Sequence, residues 1–304
     1  MTDARGELPA ESHVGRVALR VGSIDRVRPF YEDVVGLPAE HDGDRLVVGP
    51  TPDEPLVILE EAPDAPERPR EAAGLFHLAV RAPDRAALGD AVDRLRDAGE
   101  SLTGASDHLV SEALYLRDPE GNGVELYRDR PRAEWPEPED GLVGMETLAL
   151  DLEDLAAAGD GDHADRLPAG TDMGHVHLEV SDLGRAEAFY ADALGLGIRD
   201  RYGASATFLA AGEYHHHVGI NAWNGRSAPA GDHRGLAWWE LAVPDAGALE
   251  AAVERLEAAG HDVEARSDGV ALRDPDGMAL RLVGRRRRRD RVTFRSVLWT
   301  PFAT

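Results

Sequence analysis

An internal repeat is the feature that most limits what this chain can fold into. The stretch VGRVALRVGSIDRVRPFYEDVVGL, Val14–Leu37, aligns without a gap with MGHVHLEVSDLGRAEAFYADALGL, Met173–Leu196. Each stretch predicts an alternating strand, a turn and a short helix that ends at FY-x-D-x-x-G-L, where the glycine is a typical helix stop. Self-similarity of this kind is typical of repeated structural units, so the fold should be built from copies of one unit.

A second pair of stretches repeats in the same way. GLFHLAVRAPDRAALGDAVDRLRDAG, Gly74–Gly99, matches GLAWWELAVPDAGALEAAVERLEAAG, Gly235–Gly260. Both continue into a D-P-x-G turn, in LRDPEGNGVELY at Leu116–Tyr127 and in LRDPDGMALRLV at Leu272–Val283. A turn of this type between alternating runs indicates a hairpin.

Together the repeats predict an α+β fold of four βαβββ modules. The expected modules span 13–62, 74–128, 173–224 and 235–284. The first two, at 13–128, and the last two, at 173–284, form the first and second pair of modules along the chain, and the four modules are expected to build two curved-sheet units. The acidic stretch 129–172 should be a linker with one short helix near Leu152–Ala158. The basic tail 285–304, with the block Arg285–Arg289, should be a disordered appendage or one docked on the acidic surface.

Composition excludes several functions. The 57 acidic residues outnumber 33 basic ones, all of them arginine, for a formal net charge of −24, which argues against nucleic acid or an anionic membrane as the partner. No apolar run is long enough for a membrane span and no signal peptide is visible, so a cytoplasmic protein is expected. High salt screens self-repulsion, and the acidic composition therefore favours a halophilic cytoplasm. The absence of cysteine restricts any metal to His, Asp or Glu ligands.

The repeat also serves as an internal control for chemistry. One position of the first strand holds, in module order, Arg16, His77, His175 and Trp238. A residue needed only for folding should recur in every copy, so the two imidazoles indicate a function of modules two and three. In the closing strand Glu125 of module two matches Arg281 of module four. Two imidazoles and one carboxylate on inner strand faces form a facial triad, which suits non-haem Fe(II).

Four segments, taken together, resemble a known superfamily. They are GHVHLEVSDL from Gly174, YHHHVGINAW at Tyr214–Trp223, SDHLVSEALYLRDPEGNGVELY at Ser106–Tyr127 and YRDRPRAEW at Tyr127–Trp135. The chain resembles the vicinal oxygen chelate superfamily of glyoxalases, fosfomycin-resistance proteins and type I extradiol dioxygenases. Over residues 13–284 it is similar to the four-module catechol 2,3-dioxygenase branch. The resemblance implies ring cleavage of a catechol with O2, an Fe(II) cofactor for which Mn(II) shares the ligand set, and a possible homo-oligomer.

The resemblance also implies roles for individual residues. It implies three metal ligands: His77, Glu125 and His175. Tyr115 matches a tyrosine that binds substrate, His217 matches a histidine that handles protons, and His108 matches a third pocket histidine. His177 is interpreted as a structural neighbour or an alternative ligand to His175, and His215 and His216 as the polar start of a strand.

One departure from that branch leads to a topological prediction. In its best-known enzymes the ligands come from the last two modules, whereas here module four has Trp238 and Arg281. The triad is complete only if modules two and three build one shared cup. We therefore predict that module two pairs with three, and one with four.

Two alternative functions remain at this stage. A glyoxalase-like isomerase or thiol transferase would need a fourth protein ligand, and the strand HVGINAW offers Asn221 but no carboxylate. A non-catalytic binding protein of the same fold would not need two histidines and a glutamate.

Overall fold

A computed structural model describes residues 7–137 and 140–284, and the block Arg285–Arg289 lies outside them. Module one comprises β1 (His13–Val21), α1 (Ile24–Pro29, continued by a π-helical turn at Phe30–Val34), β2 (Ala39–Asp42), β3 (Arg45–Val48) and β4 (Val57–Glu61). Module two comprises β5 (Gly74–Arg81), α2 (Arg85–Asp97), β6 (Gly104–Asp107), β7 (Ser111–Arg117) and β8 (Gly123–Asp129). A 3-10 turn at Arg132–Glu134, β9 (Leu148–Ala149) and α3 (Leu152–Ala156) follow.

The second half repeats this order. Module three comprises β10 (Asp172–Glu179), α4 (Leu183–Glu187, continued by a π-helical turn at Ala188–Ala193), β11 (Gly197–Tyr202), β12 (Ala206–Ala210) and β13 (Val218–Asn221). Module four comprises β14 (Gly235–Val243), α5 (Ala246–Ala258), β15 (Glu264–Arg266), β16 (Gly269–Arg273) and β17 (Ala279–Gly284). The predicted α+β fold of four βαβββ modules is confirmed. Within the described ranges, no helix combines the length and the apolar character that crossing a bilayer requires.

The strands form two mixed sheets, and these do not follow the halves of the chain. One sheet has the order β11-β12-β13-β10-β5-β8-β7-β6-β9, and the other β15-β16-β17-β14-β1-β4-β3-β2. Modules two and three share the first sheet through the antiparallel pair β5–β10, and modules one and four share the second through β1–β14. The predicted pairing is therefore confirmed, and both histidine-bearing first strands lie side by side.

One hydrophobic core holds the sheets and helices together. It receives apolar residues from all four first strands, among them Val17, Leu78, Val176 and Trp239. Side chains alternate across a strand, so burying Leu78 in this core leaves its neighbour His77 for the concave face of the sheet. The alternating pattern of the sequence thus determines which face carries polar chemistry.

The helices connect module one to module two and module three to module four, a different combination from that of the sheets. Arg94 of α2 donates hydrogen bonds to the carbonyls of Val34 and Val35, at 3.1 and 2.9 Å, where the module-one helix ends. Arg255 of α5 does the same for Ala193 and Leu194 in module three. These guanidinium groups satisfy carbonyls that a helix end leaves without partners.

The D-P turns add a second link of this kind. Tyr31 donates to Asp118 at 3.1 Å, and Tyr190 donates to Asp274 at 2.8 Å. Modules one and two, and modules three and four, are therefore joined by helix contacts, while the sheets join two to three and one to four.

Replacement of Arg94 by methionine should lower the free energy of unfolding by about 2–4 kcal/mol. The buried guanidinium donates to four backbone carbonyls, those of Val34, Val35, His163 and Ala164, and these would lose charge-assisted hydrogen bonds. Arg96→Met is a matched control on the same helix, because Arg96 makes only exposed ion pairs to Asp93 and Glu153, which contribute at most about 1 kcal/mol. Urea unfolding followed by circular dichroism measures both. Equal losses for the two variants would contradict the role given to Arg94.

Candidate metal centre

Three neighbouring strands bring the predicted ligands to one place. Ala79 of β5 pairs with His175 of β10 on one side and with Glu125 of β8 on the other. His77 lies two residues before Ala79 on the same face of β5. Because Ala79 carries only a methyl group, the three longer side chains can converge above it.

The ligand atoms are separated by distances that suit binding to one shared ion. Glu125 Oε2 lies 2.9 Å from His77 Nε2 and 3.2 Å from His175 Nε2. One ligand atom from each residue lies within 4.8 Å of the other two, and all three side chains are buried. Atoms bound about 2.1 Å from one ion at right angles would be about 3 Å apart. The spacing fits a single ion with one face of its coordination sphere left open.

An unsatisfied nitrogen atom supports the same interpretation. The Nε2 atom of His77 lies 2.9 Å from a carboxylate oxygen of Glu125 and is buried without a hydrogen-bond partner. Buried polar atoms are nearly always paired in folded proteins. A cation bound to this lone pair would satisfy it, so the residues fit a divalent metal.

The protonation states are those that a metal requires. Burial lowers the pKa of His175 to about 4, although Glu125 acts in the opposite direction. Burial by itself would raise the pKa of Glu125, but His175 and His77 outweigh it and hold that pKa well below its usual range. At neutral pH the His175 imidazole is therefore neutral and the Glu125 carboxylate ionised, the forms that bind metal.

Tyr115 and His108 lie together beside the three ligands. The Tyr115 ring centroid is 5.6 Å from that of His77, and the Tyr115 hydroxyl is 2.7 Å from His108 Nε2. His108 Nδ1 lies 2.6 Å from the carbonyl of Glu146 and must donate to it, so Nε2 of a neutral His108 accepts from the Tyr115 hydroxyl. Burial, and then Glu125, raise the pKa of Tyr115 well above its usual value. Its hydroxyl therefore stays protonated next to the ligands.

The structure places His217 away from this group. Its Nδ1 accepts a hydrogen bond from the amide of Ala211 at 3.2 Å, its ring packs 4.8 Å from that of Tyr214, and it does not line the cavity above the ligands. His216 lines that cavity instead, with its ring centroid 4.1 Å from that of His175. The cavity histidine of the run is thus the residue before the predicted one.

A bend in the chain explains the difference. Gly219 of β13 lies beside the His177 ring, so simple alternation along that strand would put His217 on the cavity face as well. The chain bends at His217, before β13 begins at Val218, and alternation does not continue through the bend. Since three successive positions are histidine, residue type gave no signal for choosing among them. Burial, followed by the neighbouring His175, lowers the pKa of His216 well below its usual value.

His177 lies next to the ligands but outside the group of three. It pairs directly with His77 across β10 and β5, and its buried Nε2 has no hydrogen-bond partner. Its ring packs against Phe76 and Trp223, with centroids 5.3 and 5.0 Å away. The structure therefore groups His177 with the aromatic wall of the cavity.

The cavity itself has a volume of about 480 Å³. Part of the lining is aromatic, with Phe76, Phe208, Trp223 and Tyr202, and the segment Met145–Thr147 also lines the cavity. The stretch expected to be only a linker therefore contributes to the site. A planar aromatic molecule suits a cavity with these walls and three converging ligands at its base.

Comparison with known proteins agrees with the fold. The family model described as the glyoxalase/bleomycin resistance protein/dioxygenase superfamily matches residues 13–126 and 172–282. The chain belongs to this superfamily. It is 40% identical over 270 residues to a catechol-2,3-dioxygenase of Bacillus subtilis, which covers 87% of this chain and 94% of that protein.

Solved structures of the superfamily share the same architecture. A putative dioxygenase from Bacillus subtilis superposes with a TM-score of 0.62 at 12% identity, covering 92% of this chain and 86% of that one. Glyoxalase I from Zea mays gives a TM-score of 0.55 at 17% identity, covering 90% and 92%. At these identities the likeness concerns the fold alone.

The second sheet of this superfamily member lacks the ligand set. Where the first sheet has its histidines and glutamate, the second has Arg16, Trp238 and Arg281, as the repeat indicated. Arg281 stacks 3.5 Å above the Trp238 ring, and Arg16 binds Glu240. Within the described residues, His77, Glu125 and His175 form the single group able to hold a metal in this way.

Proposed function

We propose that this protein is an extradiol dioxygenase, which cleaves catechol or a substituted catechol with O2 at a mononuclear Fe(II) held by His77, Glu125 and His175. The observation that carries the proposal is the convergence of these three buried ligands beneath an aromatic-walled cavity. Similarity to a catechol-2,3-dioxygenase over nearly the whole chain supports it. Two imidazoles and one carboxylate favour Fe(II), and Mn(II) accepts the same set.

The reaction adds both atoms of O2 to the ring. The bond between a hydroxylated carbon and its unsubstituted neighbour breaks, and catechol becomes 2-hydroxymuconic semialdehyde. When bound, the ferrous ion would supply Lewis acidity toward the catechol oxygens and a path for electrons from the ring to O2. The protein residues would position the ring, move its protons and exclude water.

Each residue near the ligands suits one of these tasks. The Tyr115 hydroxyl donates its single proton to His108, and its oxygen can accept a hydrogen bond from a catechol O–H. Neutral His216, facing the cavity from the His175 side, can accept a catechol proton as general base and return it later as general acid. Phe76 and Phe208 can pack on the ring. We thus assign the proton-handling role to His216 rather than to His217.

The decisive experiment is anaerobic reconstitution. The purified protein, stripped of metal, is loaded with Fe(II) in high salt, which screens its negative charge. It is then mixed with catechol and air. Formation of the yellow ring-fission product, with consumption of one O2 per catechol, is the expected result. Metal binding without ring cleavage of catechol or alkyl catechols would favour an isomerase, and failure to bind metal would favour a binding protein.

Among the residues that the structure describes, the isomerase alternative lacks a fourth protein ligand. Asn221, the candidate from β13, is fully buried, with its side chain donating to the carbonyl of Leu178 and accepting from the amide of Trp223. It does not line the cavity. The dioxygenase proposal needs no such ligand, because its open positions serve substrate and oxygen.

A further inference from the structure

We propose that Asp129 and His215 position His216 through a directed chain of hydrogen bonds, which holds the His216 proton on Nδ1 and leaves Nε2 as a proton acceptor toward the cavity. Asp129 and His215 do not line the cavity, so they are positioning residues rather than catalytic ones. The kinetic part of this inference rests on the proposed function, and its spectroscopic part does not.

The chain of contacts is continuous and buried. Asp129 Oδ1 lies 2.9 Å from His215 Nε2, and His215 Nδ1 lies 2.7 Å from His216 Nδ1. His215 is fully buried, and of these three residues only His216 lines the cavity. The three side chains therefore form a continuous chain of hydrogen bonds from Asp129, the last residue of β8, to the cavity.

Hydrogen-bond chemistry gives this line a direction. An ionised carboxylate can only accept, so His215 Nε2 must carry a proton and donate to Asp129. With one proton on His215, its Nδ1 has a lone pair and accepts from Nδ1–H of His216. The remaining nitrogen of His216, Nε2, then has a lone pair. A carboxylate that fixes the tautomer and orientation of an imidazole is a general feature of catalytic sites.

Asp129 is itself held in its ionised form. Burial acts to raise its pKa, but His215 and then Arg81 outweigh burial, and the pKa of Asp129 is lowered. Arg81 donates to Asp129 at 2.7 Å and to Asp172 at 2.6 Å. The Tyr214 hydroxyl also donates to Asp129, at 3.1 Å. These donors anchor the far end of the line.

The arrangement has a consequence for proton transfer. As a catechol O–H bond breaks, a new N–H bond forms at His216 Nε2, and the imidazole becomes positively charged. Asp129 stabilises that charge through His215. The opposite arrangement, with a proton already on His216 Nε2, could not accept from the substrate.

The first test reads the tautomer directly. Protein labelled with ¹⁵N-histidine is loaded with diamagnetic Zn(II), and long-range ¹H–¹⁵N spectra are recorded at neutral pH, with His216 assigned by its absence in His216→Phe. We expect a protonated Nδ1 and an unprotonated Nε2 in the unaltered protein. A proton on Nε2 overturns the proposal. This readout needs neither a variant of Asp129 nor catalysis.

The second test compares two carboxylates that share Arg81. Asp129→Asn should lower kcat for catechol about 10–100-fold, with KM and metal content within about twofold of the unaltered enzyme. Asp172→Asn is the matched control, because Asp172 binds Arg81 but does not contact His215, and its kcat should change by less than about threefold. Equal losses in both variants, or an unchanged kcat in Asp129→Asn, would show that His215 does not transmit the effect. Absence of ring cleavage by the unaltered enzyme would count against the proposed function, while the spectra would still decide the tautomer.

Discussion

Replacement of Glu125 by glutamine should abolish metal binding at micromolar Fe(II) and lower ring cleavage at least about 1000-fold. Glutamine keeps the shape of the side chain but removes the only negative charge among the three ligands. A lost ionic ligand and the lost metal chemistry together remove about 4 kcal/mol or more of transition-state stabilisation, and each 1.4 kcal/mol corresponds to a factor of ten. Metal content by elemental analysis and the yellow product measure the two effects separately.

Glu240 offers a control for this variant from the other sheet. It is a buried strand glutamate, like Glu125, but it binds Arg16 and does not line the cavity. Glu240→Gln should keep one metal per chain and near-normal turnover, even if unfolding becomes easier. If Glu125→Gln retains full metal content and activity, the ligand assignment is wrong.

Substitution of His216 by phenylalanine should lower turnover about 100–1000-fold while the protein still binds one metal. The expected loss is that of a general acid–base group, since His216 lines the cavity next to His175. His217→Phe, one residue further, should change turnover by less than about threefold. That side chain gives up one hydrogen bond from the Ala211 amide, at a cost of about 1 kcal/mol in stability.

The pair of variants is informative because both residues are buried neighbours in one run. Each is compared for metal content, kcat and KM under the same conditions. A large loss of turnover in His217→Phe, with His216→Phe near normal, would restore the role that the sequence resemblance had assigned to His217. Loss of metal in both would instead indicate that the run is structural.

The sequence was most informative where a pattern repeats with a change. Four copies of one module predicted the fold. Modules two and three carry His77, His175 and Glu125, whereas the equivalent positions in modules one and four hold Arg16, Trp238 and Arg281. The pairing of modules two and three followed from requiring those three residues to meet, and the sheet order confirms it. The proximity of the side chains follows from strand register, with Ala79 between His175 and Glu125.

The histidine that lines the cavity shows where such reasoning ends, since it is His216 and not His217. In a run of identical residues, side-chain direction depends on the backbone alone, and the bend at His217 cannot be read from residue type. Likewise, the contribution of Met145–Thr147 to the cavity depends on how a non-repetitive segment packs against the sheet. Long-range packing of this kind leaves no periodic signal.

By itself the sequence determined the four-module architecture, the sheet face that carries polar chemistry and the residue types available to a metal, because these depend on periodicity and on differences between repeats. Only the tertiary structure decided that His216 rather than His217 faces the cavity and that Asp129 and His215 stand behind it. Those contacts join residues far apart in the chain, and their geometry is set by a backbone bend and by strand register rather than by local pattern.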